Sequence, residues 1–244
     1  AFGDDNIVSL DDSLAGQLIA CGTDARVMGS CFWTLLVKQV QMHSQNIKVC
    51  ILASHASQVW LQIPATLKER FYITESAEDF SAEIKKWREN NTFVYAVVLN
   101  PYAFEELQKD DFSPAADTVQ DLMSFWRDRN VFMLFLTDSM KKLKDECSYI
   151  EADVPYRVIS VGNIASIRSA MTFDAGDKLA DSPFNTVRPN VIKAYYYNKG
   201  TDKLGRFRMY QIDQLIRLVD VEALSCSSSS EPKVDNGYSG LFGN

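Results

Sequence analysis

The chain has 244 residues, of which 46% are hydrophobic and 23% charged, and a formal net charge of -7. That length suits one large α/β domain or two small ones, and the acidity excludes a surface coated in nucleic acid while leaving room for a local basic patch. No apolar run approaches the roughly 18 residues of a membrane span, and the five cysteines (Cys21, Cys31, Cys50, Cys147 and Cys226) show no C-x-x-C spacing, which predicts reduced thiols in a nuclear or cytoplasmic protein.

In chain order, residues 1–13 read as an N-terminal extension, and the first apolar run is "GQLIACG" (16–22). Three more runs of strand length follow: "KVCILAS" (48–54), "TFVYAVVLN" (92–100) and "VFMLFLTDS" (131–139). All four are near-continuous rather than alternating, as strands covered on both faces must be. Between them, "SCFWTLLVKQVQMHSQ" carries Phe32, Leu35, Leu36 and Val40 at helical spacing, "AEDFSAEIKKWREN" carries Phe80, Ile84 and Trp87, and "ADTVQDLMSFWRDR" carries Val119, Leu122, Met123 and Trp126. The alternation predicts a mainly parallel sheet with helices on both faces and a ligand crevice at the carboxyl ends of the strands. The run "KDECSYIEADVPYR" reads as a solvated connection, "PYRVISVGN" as another strand, and the stretch from Ile164 to Val191, which lacks strong periodicity, as a long mobile loop. "VIKAYYYNKGTDKLGRFRMYQID" predicts an antiparallel hairpin turning at a polar, Gly-containing segment. One core domain is expected over 14–222, followed by a Ser/Gly-rich tail over 223–244 whose composition predicts disorder.

The junction "DARVMGSCFWTLL" (24–36) lies where a nucleotide-binding α/β protein keeps its phosphate loop, G-x-x-x-x-G-K-[ST]. With Gly29 as the second glycine, Asp24 takes the place of the first, Ser30 that of the lysine and Cys31 that of the Mg²⁺-binding hydroxyl. A carboxylate at Asp24 would repel phosphate. The second strand runs into His55 where NTPases of this kind carry a catalytic carboxylate, and the third ends at Asn100 where a Walker-B aspartate would bind Mg²⁺. An amide brings no negative charge to the metal. The fourth strand ends in Thr137, Asp138 and Ser139, the place of a polar γ-phosphate sensor. The plain alternative is an ordinary strand-to-helix turn.

With these features, and above all the closing hairpin, residues 14–215 resemble the RecA-type ATPase core of eukaryotic recombinases and their paralogues. The resemblance implies a RecA-like three-layer core but no catalytic residue, since none of the motif positions carries over. It implies a non-catalytic subunit, with no cofactor of its own and with ATP and Mg²⁺ only through a partner. That partner would be a RecA-like paralogue with an intact phosphate loop, forming a heterodimer that assists recombinase filaments on single-stranded DNA in homologous recombination. The alternative it implies is a RecA-like structural subunit of the Elongator complex in tRNA modification. "FSPA" (112–115) matches the F-x-x-A pattern by which recombinases dock on neighbours, a match that a Phe- and Ala-rich chain also produces by chance.

Basic residues gather late in the chain: Arg157, Arg168, Arg188, Lys193, Lys199, Lys203, Arg206 and Arg208. They read either as exposed strand and hairpin charge balancing an acidic chain or as a contact surface for a phosphate backbone or an acidic partner. The resemblance places a DNA-binding loop before the closing hairpin, which gives weight to Arg168 and Arg188, and the i, i+2 spacing of Arg206 and Arg208 puts them on one face of a strand. His55 reads as a polar residue at a strand end with no Cys or Ser spaced to make it a catalytic base, and His43 as a solvated residue at a helix end; Trp33, Trp60, Trp87 and Trp126 read as packing between helix and sheet rather than as a base-stacking platform, with an interface as the alternative for Trp60.

Overall fold

The continuous apolar runs form the middle of one eight-stranded sheet. A computed structural model describes residues 16–22, 24–43, 47–54, 63–108, 130–161, 164–171, 173–187, 191–209 and 211–217. The strands are β1 (Gln17–Cys21), β2 (Ile47–Leu52), β3 (Phe71–Thr74), β4 (Phe93–Leu99), β5 (Val131–Thr137), β6 (Tyr156–Ser160), β7 (Ile192–Asn198) and β8 (Lys203–Met209). They lie in the order β3-β2-β4-β5-β1-β6-β7-β8. The first six run parallel, and β7 and β8 close the sheet as an antiparallel hairpin. Every residue of β1, β4 and β5 is buried, which is why these sequences show no polar alternation.

Helix α1 (Ala25–His43) covers one face of the sheet. Its Phe32 and Trp33 are fully buried, packed edge to face at 5.1 Å, and the Tyr95 hydroxyl of β4 donates to the Phe32 carbonyl at 3.0 Å. Helices α2 (Ala77–Glu89), α3 (Met140–Glu146), α4 (Ser148–Asp153), α5 (Ile164–Ala170) and α6 (Phe173–Ala180) belong to the opposite layer. Two hydrophobic clusters, one on each side, alternate residue by residue along the strands, with Ile19 and Cys21 on one side and Leu18 and Ala20 on the other. This is a RecA-like three-layer core with a C-terminal antiparallel hairpin, as the sequence predicts.

Two expectations are corrected, and one strand is added. The stretch from Ile164 to Val191 holds α5, α6 and a 3-10 turn at Pro183–Asn185 rather than a long loop. Helices of seven and eight residues span only about two turns, too few to show a period, yet they bury Ile167, Ala170 and Leu179. The supposed solvated connection "KDECSYIEADVPYR" contains the end of α3 and all of α4, and buries Cys147, Ile150 and Val154. Strand β3 was not foreseen, because "FYIT" is four residues long and only partly buried at the sheet edge. The helix expected over "ADTVQDLMSFWRDR", the F-x-x-A match at 112–115, His55, Trp60, Arg188 and the tail over 223–244 all lie outside the described residues.

Candidate functional site at the carboxyl ends of the strands

Strand β1 lies between β5 and β6, and its end is fixed by close packing. Gly22, the residue after the strand, donates its N–H to the Thr137 carbonyl at 3.0 Å, has φ +152, and would place a Cβ 2.1 Å from the Ser160 Cβ. Only a residue without a side chain fits there. The sequence shows this glycine directly after the apolar run, but the loop alignment centred on Gly29 passes over it.

β1 ends at Cys21 and α1 begins at Ala25, so three residues stand between them, fewer than the six of G-x-x-x-x-G. Asp24 caps the helix. Its carbonyl accepts from the Val27 and Met28 N–H groups at 3.0 and 3.2 Å, and its carboxylate accepts from the Arg26 N–H at 2.9 Å. The Arg26 guanidinium closes on the same carboxylate at 3.2 and 2.9 Å. Burial pushes the Asp24 carboxyl up, but the bonds and charge of Arg26 outweigh that and hold it below the usual aspartate value. The positive end of α1 is thus matched by an anion from the chain itself.

Gly29, Ser30 and Cys31 are not loop residues. All three lie inside α1 and are buried, with Ser30 at 0% exposure and its hydroxyl without a partner among the described residues. Burial pushes the Cys31 thiol up to about 12. No polar atom of these side chains is offered at the strand ends.

Asn100 follows β4 in the left-handed region, φ 48 and ψ 69, and is 8% exposed. Its side-chain oxygen accepts from the Asp138 N–H at 3.0 Å, and its own N–H donates to the Leu136 carbonyl at 2.7 Å. The residue ties β4 to β5. Asp138 accepts from the Tyr102 hydroxyl, whose phenol is driven up by burial first and by the Asp138 carboxylate second. Thr137 is fully buried and exchanges hydrogen bonds with Ser139, and the Ser139 hydroxyl caps α3 by accepting from the Lys142 N–H at 3.3 Å. The sequence marks Asn100 and the Thr137–Ser139 triplet, but Tyr102 carries no signal beyond standing three residues after β4.

The late basic residues separate into different environments. Arg157 does not belong to a surface: it is 1% exposed on β6, paired with Glu151 at 2.6 Å and bonded to the Ala170 carbonyl at 2.7 Å. Arg168 sits on α5, exposed but paired with Asp177 of α6 at 2.9 Å. Arg206 and Arg208 lie on β8, opposite Tyr195 and Lys193 respectively. Lys193 donates to the carbonyls of Phe184 and Thr186 at 3.1 and 2.9 Å, and the Phe184 ring lies 5.0 Å from its ammonium and 5.7 Å from the Arg206 guanidinium. A shallow, open dimple of about 10 Å³, room for little more than one water, joins this region to the start of α1, lined by Asp24, Arg26, Val27, Val161, Val187, Val191 and Lys193. Among the described residues no cluster of His, Cys, Asp and Glu could hold a metal, and no helix is long and apolar enough to cross a membrane.

No family model matches the sequence, and no curated protein matches it. Solved structures do resemble the fold. The genome packaging NTPase of Sulfolobus turreted icosahedral virus 2, in complex with ATP-gammaS, superposes with a TM-score of 0.51 at 10% identity, over 81% of this chain and 98% of that one. EssC (ATPases 2 and 3) from Geobacillus thermodenitrificans superposes with a TM-score of 0.53 at 10% identity over 90% of this chain, which spans 46% of that longer protein. At such identities the likeness is one of fold: the chain has the architecture of P-loop ATPases of the RecA-like kind.

Proposed function

We propose that this chain is a non-catalytic RecA-fold subunit that works through a partner, in a recombinase-paralogue complex assisting recombinase filaments on single-stranded DNA. The observation that carries the non-catalytic reading is the start of α1. There a phosphate loop would have to present free N–H groups and a lysine, but Asp24 supplies the anion and Arg26 is committed to it. An ATP phosphate brought to that helix end would meet a carboxylate held in its ionised form. Without a lysine, a metal-binding hydroxyl or a Walker-B carboxylate at the positions of the motif, charge developing on a γ-phosphate has nothing to stabilise it.

Two measurements test the two halves of this reading. Calorimetry of the full chain with Mg-ATP is expected to show no binding, and micromolar affinity at the chain's own site would overturn the non-catalytic half. Mass spectrometry of co-purifying proteins is expected to recover a RecA-like subunit with an intact phosphate loop, together with a recombinase. Recovery of tRNA-modification subunits instead would replace the recombination setting with the Elongator one.

A further inference from the structure

We infer that Ser182 is a phosphorylation site, modified by a proline-directed protein kinase, whose phosphate is received by the Phe184 amide, Tyr195 and Arg206. The inference does not depend on the subunit reading above. Ser182 and Ser113 are the serines of this chain that precede a proline, and Ser182 is the one among the described residues. It stands between α6 and β7, flanked by the exposed Asp181 and Pro183, with extended backbone at φ -66 and ψ 132. A kinase takes its substrate as an extended segment, and one that selects proline after the serine uses the fact that proline has no N–H to leave unsatisfied in that pocket. Only the three-residue turn Pro183–Asn185 follows, closed by the Asn185 and Thr186 N–H groups on the carbonyls of Ser182 and Pro183 at 2.9 and 3.3 Å, so no helix or strand has to open. In the transfer the Ser182 Oγ attacks the γ-phosphorus of ATP held by the kinase, the bond from that phosphorus to the β-γ bridging oxygen breaks, ADP leaves, and the hydroxyl proton passes to the kinase's aspartate.

The surroundings of the Ser182 hydroxyl suit the product. Its Oγ accepts from the Phe184 N–H at 3.3 Å, the long end of the hydrogen-bond range, and is bonded to the Tyr195 hydroxyl, which donates to the Asn185 side-chain oxygen at 2.7 Å. The charge of Arg206 reaches the same phenol, and its guanidinium lies 5.7 Å from the Phe184 ring, with the Lys193 ammonium 5.0 Å from that ring. A guanidinium carries five N–H donors, so Arg206 can add a phosphate to the contacts it already makes, and such forks bond phosphate oxygens in pairs. The nearest acid in sequence is Asp181, which is exposed to solvent, where screening is strongest. A phosphate held there ties the connection between α6 and β7 to the hairpin by charge-assisted bonds that the neutral hydroxyl does not make.

A serine before a proline also serves as the plain cap of a turn, and the test must separate the two roles. The folded full-length chain is incubated with Mg-ATP and either a cyclin-dependent or a mitogen-activated protein kinase, and the phosphate is mapped by mass spectrometry. Phosphate on Ser182 is expected with at least one of them, whatever Ser113 takes. Phosphate on Ser113 alone, or none with either kinase, overturns the inference. The phosphorylated chain is then titrated by phosphorus NMR, folded and in denaturing urea. Arg206 favours the dianion, so the second ionisation of the phosphate, ordinarily at about 6, is expected at a pH about 1 lower in the folded chain. The melting temperature is expected to rise by about 2 to 4 °C on phosphorylation. Arg206→Gln should remove most of both effects; if that variant fails to fold, the comparison of folded and urea-unfolded wild type carries the test alone. An ionisation unchanged or higher in the folded chain, or a melting temperature that does not rise, overturns the reception of the phosphate and leaves Ser182 as a turn cap.

Discussion

Gly22 concentrates the constraints at the strand ends into one residue. Replacing it with alanine forces a side chain into φ +152 and into the Ser160 Cβ, so Gly22→Ala is expected to lose at least about 2 kcal/mol in urea unfolding. Adding Ser160→Gly should restore the clash component but not the backbone component, and a double-mutant cycle reads the two apart. An unchanged urea midpoint for the single variant would refute this account of the turn. A second constraint is the buried cation Arg157, whose charge is met by Glu151, itself also paired with Lys199 at 3.1 Å. Burial pushes the Glu151 carboxyl up, but Arg157 and then Lys199 outweigh it and hold it below its ordinary 4.5. A depressed carboxyl contributes stability that is full above the unfolded value and disappears as pH falls through the folded one. The chain should therefore lose stability below pH 4.5, and Glu151→Gln should lose about 3 kcal/mol at neutral pH while flattening that acid slope. An equally steep acid limb in the variant would exclude Glu151 as its source. The thiols follow the same logic of burial: Cys21, Cys31, Cys50 and Cys147 are all buried, and burial pushes Cys147, like Cys31, up to about 12. Alkylation of these four near pH 8 should keep pace with global unfolding, and rapid labelling of the folded chain at any of them would contradict the packing.

At the scale of elements, the order of strands and helices is legible because the central strands are apolar throughout. "TFVYAVVLN" and "VFMLFLTDS" announce β4 and β5 to within two residues at either end, since nothing but a doubly covered strand is apolar at every position. Short elements are not legible: α5, α6 and β3 are held by tertiary contacts at Ile167, Leu179 and Phe71 rather than by any local period. The loop register fails for a related reason. Motif spacing fixes Gly29 as a turn glycine, whereas helix propagation from the Asp24 cap carries α1 straight through it, and Arg26, two residues past that cap, shows its role only once folded. Asp24→Ala tests the cap. It is expected to destabilise the protein by about 1 kcal/mol, read as a lower melting temperature. A gain of stability would mean that the carboxylate is strained at that helix end rather than matched to it.

At the scale of the molecule, charge is distributed against the overall balance. The chain carries -7, yet between Ile192 and Met209 five cations face a single acid, Asp202, which accepts from the Tyr197 hydroxyl at 2.8 Å. The sheet ends on one side in this basic hairpin and on the other in β3, four residues long, with Ile73 37% exposed. Among the described residues both outer strands leave a row of backbone donors and acceptors without a strand partner, the usual setting for association. On the proposed non-catalytic reading, a RecA-like fold would keep a use for its flanks where a neighbouring subunit packs against them. Stability should then depend on mass action. Co-expressed with a RecA-like subunit bearing an intact phosphate loop, the chain is expected to melt higher than alone, and the melting temperature to rise with protein concentration as binding to the folded state requires. A lone chain that is a monodisperse monomer at micromolar concentration, with a melting temperature independent of concentration and unmoved by the second subunit, would remove the reason for partnership and leave the fold as a self-sufficient domain.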